Sequence, residues 1–378
     1  MKDNFLNIFG YEHDQEYFSP GRINLIGEHI DYNGGMVFPM AINLGTYGYL
    51  KLRADKKVRL YSLNFEDKGI IEFDIDNINF DPKYDWANYV QGVIDVFQKD
   101  GHQINCGFDL LVNGTIPNGS GLSSSASLEV LIGKILIDNN DLAVDDVKLA
   151  LLAQKAENEF IGVNCGIMDQ FIIANGTHEG ALSINTDTLE FATVRFNLKN
   201  NKIVVLNSNK KRGLVDSAYN ARRTSCENAY AVAQAKFGVS TLCELTLEQL
   251  EQLDLTPEDY MRAKHAVEEQ ARVELSMQQL ADGKVDEFGQ TLYAGHESLK
   301  NLFEVSCDEL DFIVDGCKKL GAIGARMTGA GFGGCCIAVM PEDKINDLEK
   351  LVIPYKQKFG LELEYYTVEA NDKTKRTN

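Results

Sequence analysis

The chain has 378 residues, room for about two or three domains at roughly 150 residues each. Its 44% hydrophobic and 25% charged residues are an ordinary globular mixture, and no apolar run approaches the ~18 residues a membrane span needs. With 37 Lys+Arg against 56 Asp+Glu, the net charge of −19 would repel a phosphate backbone, which excludes nucleic acid as the main partner. A smaller polyanion such as a nucleotide would need a local cradle and a divalent cation.

The first residues, Met1 to Asn4, lead into no apolar signal core, and no membrane partner is expected. The 8 cysteines are scattered and none stands in a Cys-x-x-Cys pair. Zinc spacing and a disulfide framework are both absent, so reduced, buried thiols in a cytoplasmic protein are expected. In chain order, Thr46–Arg53, Val58–Leu63 and Gly69–Asp74 alternate like strands, and Trp86–Phe97 has helical spacing. Gly107–Val112 reads as a strand, Ser127–Ile137 as a helix, and Asp145–Phe160 as a helix stopped by Gly162. The second half starts with a strand at Lys202–Leu206, then a helix from about Leu214. The stretch Thr246–Phe303 is almost wholly helical in pattern, and Asp308–Leu320 adds a helix. A Gly-rich loop at Met327–Gly334, a strand at Cys335–Met340, a helix at Lys344–Phe359 and a strand at Leu361–Val368 close the chain. Residues Asn371–Asn378 are polar enough to fray. Runs of strand followed by runs of helix argue for an α+β fold, with a domain boundary expected between Asn185 and Asn201.

Three motifs carry chemistry. Pro117-Asn118-Gly119-Ser120-Gly121-Leu122-Ser123-Ser124-Ser125-Ala126-Ser127 sits between a strand and a helix. Its glycines allow close backbone approach, its N–H groups and helix start suit an anion, and a Ser hydroxyl can reach Mg²⁺. No Gly-Lys-Ser/Thr closes it, so it is not a Walker A loop; a Ser-capped helix after a flexible loop is the alternative. Gly329-Ala330-Gly331-Phe332-Gly333-Gly334 follows a helical stretch and opens a strand, which rules out a dinucleotide fingerprint. A turn, or a tight loop pressing on the first cradle, remains. Gly21 to Gly35 (GRINLIGEHIDYNGG) gathers Arg, Glu, His and Asp within ten residues. Such groups on a loop suit hydrogen bonding to several hydroxyls, as a sugar requires; His29 taken alone reads first as a structural histidine, and the cluster shifts it towards a binding loop.

GRINLIGEHIDYNGG resembles the galactokinase signature, and PNGSGLSSSAS resembles the ATP loop of the GHMP kinase superfamily. Ala325–Gly334 (ARMTGAGFGG) resembles the third motif of that superfamily, and the three stand in family order across nearly the whole chain. The resemblance implies a two-domain α+β GHMP-kinase-like fold. Residues 1–190 would form an N-terminal mixed-sheet domain with the sugar signature and the ATP phosphate loop. Residues 191–378 would form a C-terminal ferredoxin-like α/β domain with the third Gly-rich motif, the active site lying in the cleft between the two. It implies ATP-dependent phosphorylation of the anomeric C1 hydroxyl of α-D-galactose, the first committed step of galactose catabolism.

Site residues carry over position by position. The catalytic Asp of the family falls on Asp169, in Cys165–Gln170, and the catalytic Arg on Arg22, which also belongs to the substrate set. Sugar-binding residues fall on Glu28, His29, Asp31, Gly166 and Tyr219. The nucleotide set falls on Pro117, Gly119, Ser120, Gly121, Leu122, Ser123, Ser124, Ser125 and Ala126, with Trp86 and Tyr89 at the adenine pocket. Ser125 and Glu157 are the implied Mg²⁺ ligands. Asp169 would take the C1 proton as an ionised carboxylate beside Arg22. Unaided, Asp169 reads as a helix cap, Glu157 as a solvated carboxylate, Tyr219 as a helix residue, and Arg222 and Arg223 as surface charges or as holders of the nucleotide or sugar loops. Galactose and Mg-ATP are the expected partners of a monomer or weak oligomer. A kinase for N-acetylgalactosamine or another sugar, and a non-catalytic sugar-and-ATP sensor of transcription, are the alternatives. The intact Ser123–Ala126 run and Asp169 favour an active enzyme.

Overall fold

The computed structural model describes residues 2–117, 120–210 and 215–378. Strands β1 (Gln15–Asn24), β2 (Met36–Val37), β3 (Pro39–Leu52), β4 (Lys57–Ser62), β5 (Ile71–Asp74) and β6 (Phe108–Gly114) open the chain. Helices α1 (Lys2–Phe9), α2 (Ala87–Lys99), α3 (Ser124–Asn140), α4 (Asp146–Lys155) and α5 (Met168–Asn175) accompany them. The hairpin β7 (Ala181–Asn185) and β8 (Phe191–Val194) follows, and then β9 (Asn201–Asn207). Helices α6 (Val215–Phe237), α7 (Leu247–Leu250), α8 (Pro257–Ala281), α9 (Val285–Ser298) and α10 (Asp308–Lys319) lead to β10 (Gly324–Thr328) and β11 (Cys335–Pro341). Helix α11 (Glu349–Phe359), β12 (Glu364–Val368) and β13 (Lys375–Arg376) complete it. Among the described residues no helix is long and apolar enough to cross a membrane.

Among the described residues the strands form three sheets. The first has six strands in the order β13-β1-β3-β6-β4-β5, antiparallel except where β4 runs parallel to β6. Helices α3 and α5 cover one face of it, while Phe5 and Phe9 of α1 cap Tyr49 and Leu111 on the other. The second has four antiparallel strands in the order β10-β11-β9-β12. Its chain order, strand, helices, two strands, helix, strand, is the ferredoxin-like βαββαβ path with a helical insertion between β9 and β10. A small sheet, β2-β7-β8, is the third. The fold is α+β, as the pattern of the sequence implies. The division at 190/191 falls inside the β7–β8 hairpin, whose strands pair from Ala181↔Val194 to Ile184↔Phe191.

Three expectations need correction. The segment Gly21–Asn24 is strand, not loop: it pairs with Ile42–Pro39 after a register shift at Pro20/Gly21. Almost every residue of β1 is buried, so no alternation marks it as a strand. The third Gly-rich motif follows β10 rather than a helical stretch, and its loop turns β10 into β11. The tail is not frayed. Lys375 and Arg376 pair with Phe18 and Tyr17, and the buried Thr374 hydroxyl bonds Ser19 Oγ at 2.7 Å and the Ile173 carbonyl at 3.2 Å. The tail therefore ties β1, which carries Arg22, to the end of α5, which carries Asp169. The helix start expected at Leu214 lies outside the described residues; the helix is described from Val215.

Chemistry of the local sequence sets the element ends. Helix α8 starts at Thr256, whose hydroxyl accepts from the Asp259 amide, with Pro257 at its first position and Glu258 and Asp259 facing its positive end. Burying the Thr374 hydroxyl is favourable only because both of its partners are met. Replacing it by Val in Thr374→Val should cost about 1–3 kcal/mol in urea unfolding, with Thr374→Ser costing less. Equal midpoints for wild type and Thr374→Val would show that the tail is not docked in this way.

Candidate active site

A cleft of about 680 Å³ opens where the signature loop, the Ser-rich loop and the third motif meet. It is lined by residues from both halves, from Arg22 to Asp169 and then Tyr219, Asn220, Gly329 and Ala330. This matches the expected placement between two sheets.

At its floor Arg22 grips Asp169 with two prongs: Nε donates to Oδ1 at 2.7 Å and Nη2 to Oδ2 at 2.7 Å. The third guanidinium nitrogen, Nη1, donates to the Gly121 carbonyl at 2.6 Å, so one side chain joins β1, the Ser-rich loop and α5. Gly21 makes room for this: a Cβ there would stand 2.7 Å from Ile116 Cδ1 and 2.8 Å from the Leu122 carbonyl oxygen. The Arg22 amide instead donates to that carbonyl at 3.2 Å. Ser123 precedes α3 in the left-handed region, φ 63°, and its hydroxyl caps nothing. It donates to Asp169 Oδ2. The first amides of α3 therefore have no side-chain cap from Ser123 and meet the cleft with Ser124 and Ser125.

Glu157 lies in a π-helical turn, Ala156–Ile161, that ends at Gly162 with φ 86°. Ser125 Oγ donates to Glu157 Oε1 at 3.2 Å, so the two implied metal ligands do meet. Glu157 is buried, and burial, followed by the charge of Asp169, pushes its carboxyl above the usual range. Among the described residues no group of three or more His, Cys, Asp or Glu could hold a metal ion.

Where the signature loop lines the cleft, Asp31 is pushed up to about 7, first by burial and then by the Asp169 charge. Gly166 is required beside it: a Cβ there would sit 1.7 Å from Asp31 Oδ2. His29 has φ 63° and a fixed tautomer. The Ala330 carbonyl can only accept, so Nε2 carries the proton that bonds it at 3.2 Å, and Nδ1 accepts from the Tyr32 hydroxyl at 2.8 Å. Burial pushes the imidazole down to about 3, so it stays neutral. Its ring lies 4.7 Å from Phe303 and 5.7 Å from Tyr219, centroid to centroid. Glu28 reaches the cleft wall, but its oxygens are engaged by the Gly329 amide at 3.0 Å, by Asn24 Nδ2 at 3.0 Å and by Arg326. The third motif thus contacts Glu28 and His29, and its Gly329 and Ala330 share the cleft with Ser123, Ser124 and Ser125.

Arg22, Glu28, His29, Asp31, Gly121, Ser123, Ser124, Ser125, Glu157, Gly166, Asp169 and Tyr219 all line the cleft. Pro117, Ser120, Leu122 and Ala126 do not; Ser120, Leu122 and Ala126 are buried under the loop. Trp86 and Tyr89 also lie off the lining, with Trp86 in the core and its Nε1 buried without a partner among the described residues. Gly119 lies outside the described residues.

Sequence reasoning passed over several groups. Arg222 and Arg223 are not free surface charges. Arg222 Nε donates to the Phe303 carbonyl at 2.7 Å, and Arg223 stands over the Tyr32 ring at 5.6 Å. Buried behind the signature loop, Glu269 accepts from the Gly27 amide at 2.9 Å and from Arg272 at 2.7 Å, and Arg326 donates to the Leu25 carbonyl at 2.9 Å. His265 donates to the Glu28 carbonyl at 3.1 Å. Only Arg326 left a signal, a lone charge beside apolar residues in the third motif. Glu269 and His265 sit among many other charged and polar residues of α8, where nothing in the sequence sets them apart.

Comparison with known proteins agrees with this geometry. The galactokinase galactose-binding signature matches residues 3–51, the GHMP kinases N terminal domain residues 88–177 and the GHMP kinases C terminal domain residues 276–356. A galactokinase of Clostridium acetobutylicum is 46% identical, with 100% of this chain and 98% of the relative aligned. The crystal structure of Lactococcus lactis galactokinase complexed with galactose superposes with a TM-score of 0.95 at 41% identity, over 100% of this chain and 98% of that one. The Methanococcus jannaschii mevalonate kinase shares the fold alone: TM-score 0.70 at 20% identity, over 96% of this chain and 99% of its own. The chain belongs to the galactokinase family of the GHMP kinases.

Proposed function

We propose that this protein transfers the γ-phosphoryl group of ATP to the anomeric C1 hydroxyl of α-D-galactose, giving galactose 1-phosphate and ADP. The observation that carries the reading is the two-pronged Arg22–Asp169 pair, set between the sugar-signature loop and the start of α3. Asp169 accepts the C1 proton as the C1 oxygen forms its bond to the γ-phosphorus and the bond to the bridging oxygen of ADP breaks. Arg22 holds the carboxylate in place, and its guanidinium steadies charge on the transferred group. The uncapped amides of α3 and the Ser124 hydroxyl donate to the phosphates, while Ser123 stays on Asp169 and Ser125 faces the metal beside Glu157. Asp31, Tyr219 and the Gly166 backbone face the sugar, with Glu28 and His29 shaping that end. The adenine is placed toward Trp86, whose buried indole N–H needs an acceptor, and Tyr89.

Mg²⁺ fits the donor set. Ser125 and Glu157 offer two hard oxygens, and none of the hydrogen-bond partners of Glu157 among the described residues is a Lys or Arg. That suits an ion which binds through one or two side chains and completes its shell with water and phosphate. Bound there, it would neutralise the β- and γ-phosphates.

The same reading divides the chain after β8, in residues 195–200, with the tail returned to the first sheet. It makes the protein a monomer or weak oligomer of the cytoplasm that acts on small molecules, and the net charge of −19 argues against a nucleic-acid partner.

Two measurements test the roles. Asp169→Asn should lower turnover by about 10²–10⁴-fold, with galactose binding by calorimetry retained. Substantial turnover in that variant would remove Asp169 from the base role. Only when ionised does Asp31 accept strong, charge-assisted bonds from sugar hydroxyls through both of its oxygens. Because its carboxyl is raised to about 7, the galactose KM should climb as pH falls through about 7. The climb approaches about tenfold per pH unit on the acid side, and Asp31→Asn should flatten it. A profile unchanged by that substitution would place the titration elsewhere.

A further inference from the structure

Behind the Ser125–Glu157 contact lies a side chain that the phosphoryl-transfer reading leaves unused. Gln170 follows Asp169 on α5 and is fully buried. Its amide nitrogen donates to Glu157 Oε2 at 2.6 Å and to Glu129 Oε2 at 3.0 Å. Glu129 is also fully buried and stands one helical turn after Ser125 on α3, so the two share a face. Three elements meet at this one amide: the helix with the Ser-rich start, the π-helical turn, and the helix of Asp169. Within Glu157 the oxygens are divided. Oε2 is turned inward to Gln170 and to Cys165 Sγ at 3.4 Å, while Oε1 is left for Ser125 at the cleft wall.

The hydrogen-bond accounting adds a second observation. Glu129 Oε1 and Gln170 Oε1 are both buried and lack partners among the described residues. They belong to the two side chains already joined by the 3.0 Å bond. A neutral Glu129 meets both needs at once, as an acid–amide pair with its O–H donated to Gln170 Oε1. Burial, and after it the Glu157 charge, pushes the Glu129 carboxyl well above its usual range, in the same sense.

We propose that Gln170, held by Glu129, is a positioning residue that fixes the rotation of the Glu157 carboxylate and couples it to the helix of Asp169. The proposal rests on the reading of Glu157 as a metal ligand. Polar groups that orient a metal-binding carboxylate typically cost about 10–100-fold in affinity or activity when removed.

The test is Mn²⁺ binding, followed by electron paramagnetic resonance of free Mn²⁺, on the full chain saturated with a non-hydrolysable ATP analogue. Gln170→Leu should raise the Mn²⁺ dissociation constant about 10–100-fold and lower kcat, with the galactose KM unmoved. Glu129→Leu should do the same, and Glu129→Gln, which keeps a neutral donor, should recover most of the loss. Where Gln170→Leu fails to bind galactose and so is misfolded, Gln170→Asn keeps the amide but shortens its reach, and should show the same loss. Glu157→Gln separates the two ideas. If it binds Mn²⁺ like wild type, the metal reading of Glu157 fails and this proposal with it. If it loses Mn²⁺ while Gln170→Leu or Gln170→Asn does not, or if Glu129→Leu and Glu129→Gln behave alike, the positioning role alone is overturned.

Discussion

Arg22 and Asp169 stand 147 residues apart in the chain and meet in a two-pronged ion pair. Much of the N-terminal half is arranged so that they can. The register shift at Pro20/Gly21 re-aims the end of β1. Gly21 lets the Ser-rich loop press onto that strand, and Ser123 spends its hydroxyl on Asp169 instead of on its own helix. From the opposite side, Thr374 in the tail bonds both β1 and the end of α5. A planar guanidinium with fixed donors suits this junction, because it holds a carboxylate in one plane while a third donor reaches the Gly121 carbonyl. Lysine, a point charge, could do only one of these things well.

The signature-loop side of the cleft depends on a different kind of support. The loop from Leu25 to Tyr32 brings Asp31 and His29 to the cleft, but it is held from behind by the C-terminal half. Arg326 and Glu269 are both fully buried and reach the backbone of Leu25 and Gly27, while His265 bonds the carbonyl of Glu28. A buried charged cluster of this kind is weak evidence for stability, since desolvation consumes much of its attraction. Its effect is geometric: each charge is matched to one backbone group of the loop. The two sheets are thus joined at the cleft by polar contacts as well as by apolar packing, and the signature loop has one position relative to α3 and α5.

What could be read from the sequence follows from whether a residue's role is local. Glycine-rich loops, helix starts and the order of the three motifs are local, and the cleft gathers part of each motif: Arg22, Glu28, His29 and Asp31, Gly121 with Ser123–Ser125, and Gly329 with Ala330. The strand character of β1 was hidden because burial on both faces removes the alternation of polar and apolar residues. Pairing of the tail was hidden because Thr374 and Lys375 look like solvated residues until their partners 355 and more positions away are known. Asp169 stood out only through its resemblance to a family motif, since an acidic residue before an apolar run is otherwise a helix cap. Glu129 and Glu269 carry no signal at all, and Gln170 only closes the stretch that located Asp169, because a buried polar group is defined by its partners rather than by its neighbours in sequence. Trp86 was assigned from its position alone; its side chain lies in the core, off the cleft lining, with an indole N–H that has no partner among the described residues.

The central claim is that this cleft carries out phosphoryl transfer to galactose. It is tested most directly by ADP release from Mg-ATP by the purified protein, with galactose, N-acetylgalactosamine, glucose and no sugar run in parallel. The account predicts Mg²⁺-dependent turnover with galactose well above the other three reactions. Absence of turnover with any sugar, in protein that still binds galactose and ATP, would contradict it.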